Sequence, residues 1–283
     1  MLLEQRITEN GIETVDKVEI AIERLRYFEP PEGYYLAFSG GKDSVVIYDL
    51  AVKAGVKFDA HYNLTTVDPP ELVKFIKRYY PERVRVMGVD DEYLALISGP
   101  YAVERHRPEK NMFQLIVKKR ILPTRLIRYC CEKLKEDGGN NRFVVTGIRW
   151  AESSKRAGRR MVENCMKKSK NTTFLHPIID WTYDDIWFYI RKNNIPYCHL
   201  YDEGFKRLGC IMCPMQGTKG MLRDAERWPR YYNLYMRAIE KMIEARIAAG
   251  DRNPKRYRTA EEVMHGWIHN PPKGDPDQGV LFE

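Results

Sequence analysis

Long apolar runs are missing from this 283-residue chain. No segment approaches the roughly 20 residues that a membrane-spanning helix needs. The opening stretch MLLEQRITENGIETVDKVEIAIERLRYFE interleaves charges with apolar side chains from Glu4 onward, unlike a secretory leader. The expectation is therefore a cytoplasmic protein with reduced thiols and no membrane partner. Cysteine is scarce: six are too few for a disulfide scaffold, and a chain this long builds a core without such staples. The six histidines show no HxxH or HExxH spacing, so none is a preferred metal ligand from sequence. No internal repeat and no low-complexity tract occurs. Acidic residues are in deficit, 39 against 47 Lys and Arg, and the net charge of +8 favours anionic partners such as nucleotides or nucleic acid.

What cysteine there is falls in a telling pattern. Cys130-Cys131 and Cys210-Ile211-Met212-Cys213-Pro214 offer four soft thiolates to one metal centre. A CxxC turn points two sulfurs at one ion, and thiolates select zinc or iron–sulfur over hard cations. Zinc ribbons space their paired ligands by about two to four residues, so adjacent thiols favour an iron–sulfur cluster, with zinc as the alternative. Four unrelated buried thiols are the plain reading.

Along the chain, apolar residues at helical spacing predict a helix over 11–28, closed by Glu29-Pro30-Pro31-Glu32-Gly33. Residues 34–38 read as a short buried strand running into Ser39-Gly40-Gly41-Lys42-Asp43-Ser44, after which a helical pattern resumes. Further strands are expected at 57–63, near 84–89 and at 142–147, the last after a helix at 132–136. This alternation predicts an α/β fold with a doubly wound, mostly parallel sheet and its site at the strand C-termini. The loops at 39–44, 65–71 and 147–156 would then meet in one crevice. The organisation expected is an N-terminal helix (1–30), a nucleotide-type domain with the cysteines (31–215), and a helical extension with an irregular tail after Pro271 (216–283).

Strand, glycine turn and helix start together make a phosphate cradle: glycines admit the anion, free N–H groups point at it, and the helix dipole favours its charge. Lys42, Ser39 and Ser44 add a positive charge and hydroxyl donors. The segment lacks the GxxxxGK[ST] of a Walker A loop. SGGKDS resembles instead the PP-motif of the adenine nucleotide alpha-hydrolase superfamily. With Pro70-Glu71, Cys130-Cys131, Gly147-Ile148-Arg149, Glu152-Ser153, Arg156 and the run from His176 to Pro214, the chain resembles the phosphoadenosine phosphosulfate reductase family over roughly residues 34–215.

That resemblance implies a Rossmann-like fold, an adenine nucleotide bound by Ser39, Gly40, Gly41, Lys42, Asp43, Ser44, Thr65, Gly147 and Arg149, and a [4Fe-4S] cluster on Cys130, Cys131, Cys210 and Cys213. The family holds two chemistries. Sulfonucleotide reductases attack sulfate sulfur with a cysteine near the C-terminus, and residues 214–283 contain none. A second group, which includes the DNA phosphorothioation enzymes, splits ATP between its α and β phosphates and adenylates an oxygen so that sulfur can displace it. An intact SGGKDS loop favours the second, with Lys42 and backbone amides stabilising the departing pyrophosphate, Asp43 partnering magnesium, and Arg149 and Arg156 acting on phosphate under the guidance of Glu152. A solvated surface arginine is the plain reading of Arg149. Nucleic acid as acceptor, a sulfur-donor protein and an oligomer are partners this chemistry admits. A sulfonucleotide reductase, or a binding subunit with a structural metal clamp, are the competing functions.

One departure stands out: many members read Asp-Thr-Gly where this chain has Leu64-Thr65-Thr66-Val67-Asp68, leaving Asp68 as a shifted substitute or a turn-former. Cys165 lies among Lys155, Arg156, Arg159, Arg160, Lys167, Lys168 and Lys170, which suits a persulfide carrier or an ordinary free thiol. The same stretch suits a phosphate backbone or a loop over ATP. Cys198 reads as packing, and His176 and His199 as structural. Thr182 with Asp185 predicts a helix start, and Trp181, Trp187 and Tyr189 a core contribution. Residues 224–250 predict one amphipathic helix.

Overall fold

The computed structural model describes residues 2–9, 11–82, 102–136, 138–165, 171–250 and 259–269. The chain starts with a hairpin, β1 (Leu3–Thr8) antiparallel to β2 (Gly11–Asp16), and then enters α1 (Lys17–Tyr27). The helix expected over 11–28 thus begins six residues late. β-branched Ile12, Thr14 and Val15 suit a pleated strand, and Asp16 resets the start as an N-cap, accepting from the Val18 amide at 3.0 Å.

A six-stranded sheet follows, ordered β5-β4-β3-β6-β8-β7. Its members are β3 (Tyr34–Ala37), β4 (Phe58–Asn63), β5 (Glu104–His106), β6 (Phe143–Val145), β7 (Val162–Asn164) and β8 (Thr173–Leu175). All neighbours are parallel except β7 and β8. The connections are α2 (Lys42–Ala54), α3 (Pro70–Tyr79), α4 (Met112–Lys119), α5 (Tyr129–Leu134) and α6 (Ser154–Ala157). The mostly parallel α/β sheet matches the sequence expectation; the strand expected near 84–89 lies outside the described residues. The strand at 142–147 shortens to three residues, and the helix at 132–136 starts earlier, placing both adjacent cysteines in its first turn.

Alternation along the strands divides the sheet's two faces. Tyr34, Leu36, Ala60, Tyr62, Val145 and Leu175 join the main core, against which α1, α2 and α7 (Tyr183–Lys192) pack. The opposite face carries a small apolar cluster of Tyr35, Val144 and Phe174, with Ala37 and Cys165 against it. Thr182 and Asp185 form the expected capping box of α7, and Trp181, Trp187 and Tyr189 are buried.

The single helix expected over 224–250 is two helices, α8 (Gly217–Arg227) and α9 (Pro229–Ala248). Pro229 makes the break: the residue before a proline is pushed out of the helical region, and Trp228 sits at φ −128°, ψ 67°. α10 (Ala260–His269) packs on α8 and α9. Among the described residues no helix is long and apolar enough to cross a membrane.

Candidate functional site

The SGGKDS loop leaves β3 and its Lys42 opens α2. Gly40 lies at φ +72°, where side chains are disfavoured, and a Cβ there would stand 2.7 Å from Ile76 Cδ1. Ser44 Oγ donates to the Gly41 carbonyl (2.8 Å), and the Lys42 amide donates to the Tyr201 hydroxyl (2.9 Å). At the helix start a charge chain forms. Lys42 Nζ donates to Asp43 Oδ2 at 3.0 Å, and Arg149 Nε donates to Asp43 Oδ1 at 2.8 Å. Gly147 permits this approach between β6 and α2, since a Cβ on it would meet Asp43 Cβ at 2.9 Å.

Arg149 is only 2% exposed, and it also donates to the Trp181 carbonyl at 3.2 Å. It is therefore no solvated surface arginine. Its backbone amide donates to Glu152 Oε2 at 2.9 Å, and Glu152 pairs with buried Arg156. The two arginines stand behind the crevice wall, bound to carboxylates that line it. Buried Asp68 closes its own loop, accepting from the Thr65 amide at 2.7 Å. Burial raises its pKa in spite of the hydrogen bonds from Thr65.

The two cysteine segments come together beside this loop. The Cys210–Cys213 turn is held by buried Asp224 of α8, which accepts from the Met212 amide at 2.9 Å, and by Tyr235 of α9, whose hydroxyl donates to the Ile211 carbonyl at 3.2 Å. The Ile211 amide donates to the Val67 carbonyl at 2.8 Å, tying the turn to the Thr65–Asp68 loop. Within α5, Cys130 donates to Cys131, and with Lys135 and Arg128 nearby this brings the Cys131 thiol down to about 6. The same hydrogen bond, with burial, pushes Cys130 up. Burial raises Cys210 to about 11 against the pull of Lys135. Burial opposes the charge on Lys135, yet Cys210, Cys131, Cys213 and Asp68 together hold it protonated. All six cysteines are free thiols, and Cys198 is fully buried, as packing requires.

One crevice gathers the phosphate loop, the Thr65–Asp68 loop, Gly147 and Lys135, enclosing about 1090 Å³ with its open mouth counted. Ser39, Gly41, Lys42, Asp43, Ser44, Thr65 and Gly147 line it, so the three expected loops do converge. Gly40 lies beneath, against α3. Lining residues that sequence reasoning missed are Tyr35, His61, Lys135, Tyr201 and Arg207. Lys135 carried a signal, one helical turn after Cys131 and so on the same helix face; Tyr201 and Arg207 carried none. Burial, and next the charge of Arg156, lower the pKa of Arg207. Cys165 packs against the small apolar cluster instead, and residues 166–170 of the basic stretch lie outside the described residues.

Comparison with known proteins finds similar chains. Two uncharacterized proteins of Methanocaldococcus jannaschii are 29% and 26% identical over 83% and 84% of this chain, which spans 55% and 48% of their length. Adenosine 5'-phosphosulfate reductase 2 of Bacillus subtilis is 25% identical over 80% of this chain and 89% of its own. Among solved structures, the phosphoadenylyl-sulfate reductase of Candida auris has a TM-score of 0.48 and 18% identity, covering 67% of this chain and 87% of that one. The model of the phosphoadenosine phosphosulfate reductase domain matches residues 33–216, about two thirds of the sequence, and the chain belongs to that family.

Proposed function

We propose that this chain binds ATP at the SGGKDS loop and uses it to adenylate an acceptor oxygen for sulfur transfer. An acceptor oxygen attacks the α-phosphorus, pyrophosphate departs, and a sulfur nucleophile then displaces AMP. The observation that carries this reading is the charge chain Lys42–Asp43–Arg149 at a helix start beneath an intact glycine loop. Lys42 and the loop amides would receive the pyrophosphate charge, because fixed donors at a helix N-terminus stabilise an anion without reorganising. Asp43 would hold magnesium, whose charge neutralises the departing phosphates. Arg149 holds Asp43 in place, and Arg156 does the same for Glu152. The net charge of +8 favours nucleic acid as the acceptor class.

The donor set at Cys130, Cys131, Cys210 and Cys213 fits a [4Fe-4S] cluster. Three of the thiols, Cys131, Cys210 and Cys213, act on a protonated Lys135 that offsets thiolate charge, and all three act on Cys130. Paired zinc ligands are normally spaced by about two to four residues, so the adjacent thiols Cys130 and Cys131 support the larger cluster over zinc. When bound, the cluster supplies a charged, redox-capable centre beside the nucleotide.

The names of relatives favour a second reading, since one spanning most of this chain is called an adenosine 5'-phosphosulfate reductase. One experiment separates the two. Anaerobically purified protein is assayed for iron, for pyrophosphate release from ATP and for sulfite release from adenosine 5'-phosphosulfate, beside Lys42→Ala and Cys210→Ser. Four irons per chain with pyrophosphate release that falls about 10²–10³-fold in Lys42→Ala is the expected result. Sulfite release without pyrophosphate release establishes the reductase reading in its place.

A further inference from the structure

The sheet face of Tyr35, Val144 and Phe174 carries a second constellation, one that contains no cysteine. Parallel pairing sets His61 of β4 beside Glu104 of β5 and Asn63 beside His106, so His61, Glu104 and His106 project from one face. His61 Nδ1 lies 2.8 Å from His106 Nε2 and 3.6 Å from Glu104 Oε2. One donor atom from each of the three falls within 4.8 Å of the others.

What distinguishes this group from an ordinary polar ladder is the support behind His61. Its Nε2 is bonded to Asp59 on the same face. Asp59 is clamped by both ends of the Arg142 guanidinium, at 2.7 and 2.6 Å, and Arg142 is itself anchored on the Gly33 carbonyl at 3.0 Å. A carboxylate already accepting two arginine N–H groups takes a third hydrogen from Nε2. In the tautomer with its proton on Nε2, Nδ1 turns a lone pair toward Glu104 and His106. Tyr35 stacks flat on the His61 ring, with centroids 3.9 Å apart and planes 3° apart, and locks its orientation. A carboxylate holding the far nitrogen of a histidine is the outer support that metal-ligating histidines characteristically have.

We propose that His61, Glu104 and His106 bind a divalent first-row transition-metal ion, with Asp59 and Arg142 as its outer support. Two imidazoles and one carboxylate are the donor set of open zinc sites and of non-haem iron, and the nitrogen ligands select against magnesium and calcium. The ion replaces the hydrogen bond between the two histidines, which requires His106 to carry its proton on Nδ1. The side chains of His61 and Glu104 are 6% and 11% exposed while His106 is exposed, so the ion is held from below and reached from solvent. His61 also lines the crevice of the phosphate loop, while His106 lines a neighbouring pocket. This site does not depend on the ATP reading.

The test uses the full chain, purified anaerobically with its cysteine-bound metal in place and dialysed against zinc. Bound zinc is counted, and its ligand shell is read by X-ray absorption. We expect one zinc with a nitrogen and oxygen shell, bound more than about 10-fold more weakly in His106→Ala and in Glu104→Gln, and about 10–100-fold more weakly in Asp59→Asn. Zinc should raise the melting temperature of the wild type and leave that of His106→Ala unmoved, an exposed position where folding is not at risk. Zinc held only by sulfur, no added zinc, or equal affinity in wild type, His106→Ala and Glu104→Gln overturns the site.

Discussion

The two faces of the central sheet differ although the same strands build both. On the covered face, Tyr34 and Leu36 are fully buried, and the Tyr34 hydroxyl donates to the Leu25 carbonyl at 2.7 Å. Their neighbours Tyr35 and Ala37 point the other way, as do Asp59, His61 and Asn63 of the adjacent strand. One set of alternate residues thus supplies the apolar area that holds α1, α2 and α7, while the other supplies chemistry. The division can be broken most forcefully at Leu36. Leu36→Ala should cost about 2–5 kcal/mol of unfolding free energy, measured by denaturant titration, because the cavity forms where helices press from above. A cost below about 1 kcal/mol would mean that the covered face is no core.

Much of this arrangement was legible because it is local. The strand–glycine–helix sequence at residues 34–54 declares itself through period, turn residues and a helix start. The capping box at Thr182 and Asp185 reads in the same way. The hairpin at residues 3–16 was missed because alternating Ile12, Thr14 and an adjoining Val15 also fit a helical period over so short a window. Trp228-Pro229 was misread because the apolar spacing continues through the proline while the backbone does not. The histidine group escaped for a different reason. His61 and His106 are 45 residues apart and meet only through strand register, which no motif spacing encodes. Tyr201 reaches the phosphate loop by the same kind of long-range packing.

Within the second face the β6–β8 end contrasts with the β4–β5 end. His176, in line with Phe174, is fully buried and bonded to Thr146 Oγ1 at 2.7 Å, and burial, with Arg159 and Arg156 nearby, lowers its pKa from 6.5 to about 3. The unfolded chain binds this proton below about 6.5 and the folded chain only near 3. Stability is therefore complete above pH 6.5 and declines as pH falls toward 3. We expect a loss on the order of 4 kcal/mol between these limits, followed by thermal melting across pH, and a flatter profile in His176→Gln. An identical slope in the variant would assign the acid loss to carboxylates alone.

The smallest effect, and the finest probe of the division, belongs to Tyr35. Its ring stacks on His61, and burial raises its hydroxyl to about 12 even though Asn63 hydrogen-bonds to it. Tyr35→Phe keeps the stack and the small cluster with Val144 and Phe174 but removes that hydroxyl, so the expected cost is about 0.5–1.5 kcal/mol, below that of Leu36→Ala one residue away. Because the ring still orients His61, zinc affinity should change less in Tyr35→Phe than in Asp59→Asn. Should Tyr35→Phe destabilise as much as Leu36→Ala, the hydroxyl would be bearing core weight, and the division between a face for stability and a face for chemistry would fail at the strand where it is drawn most sharply.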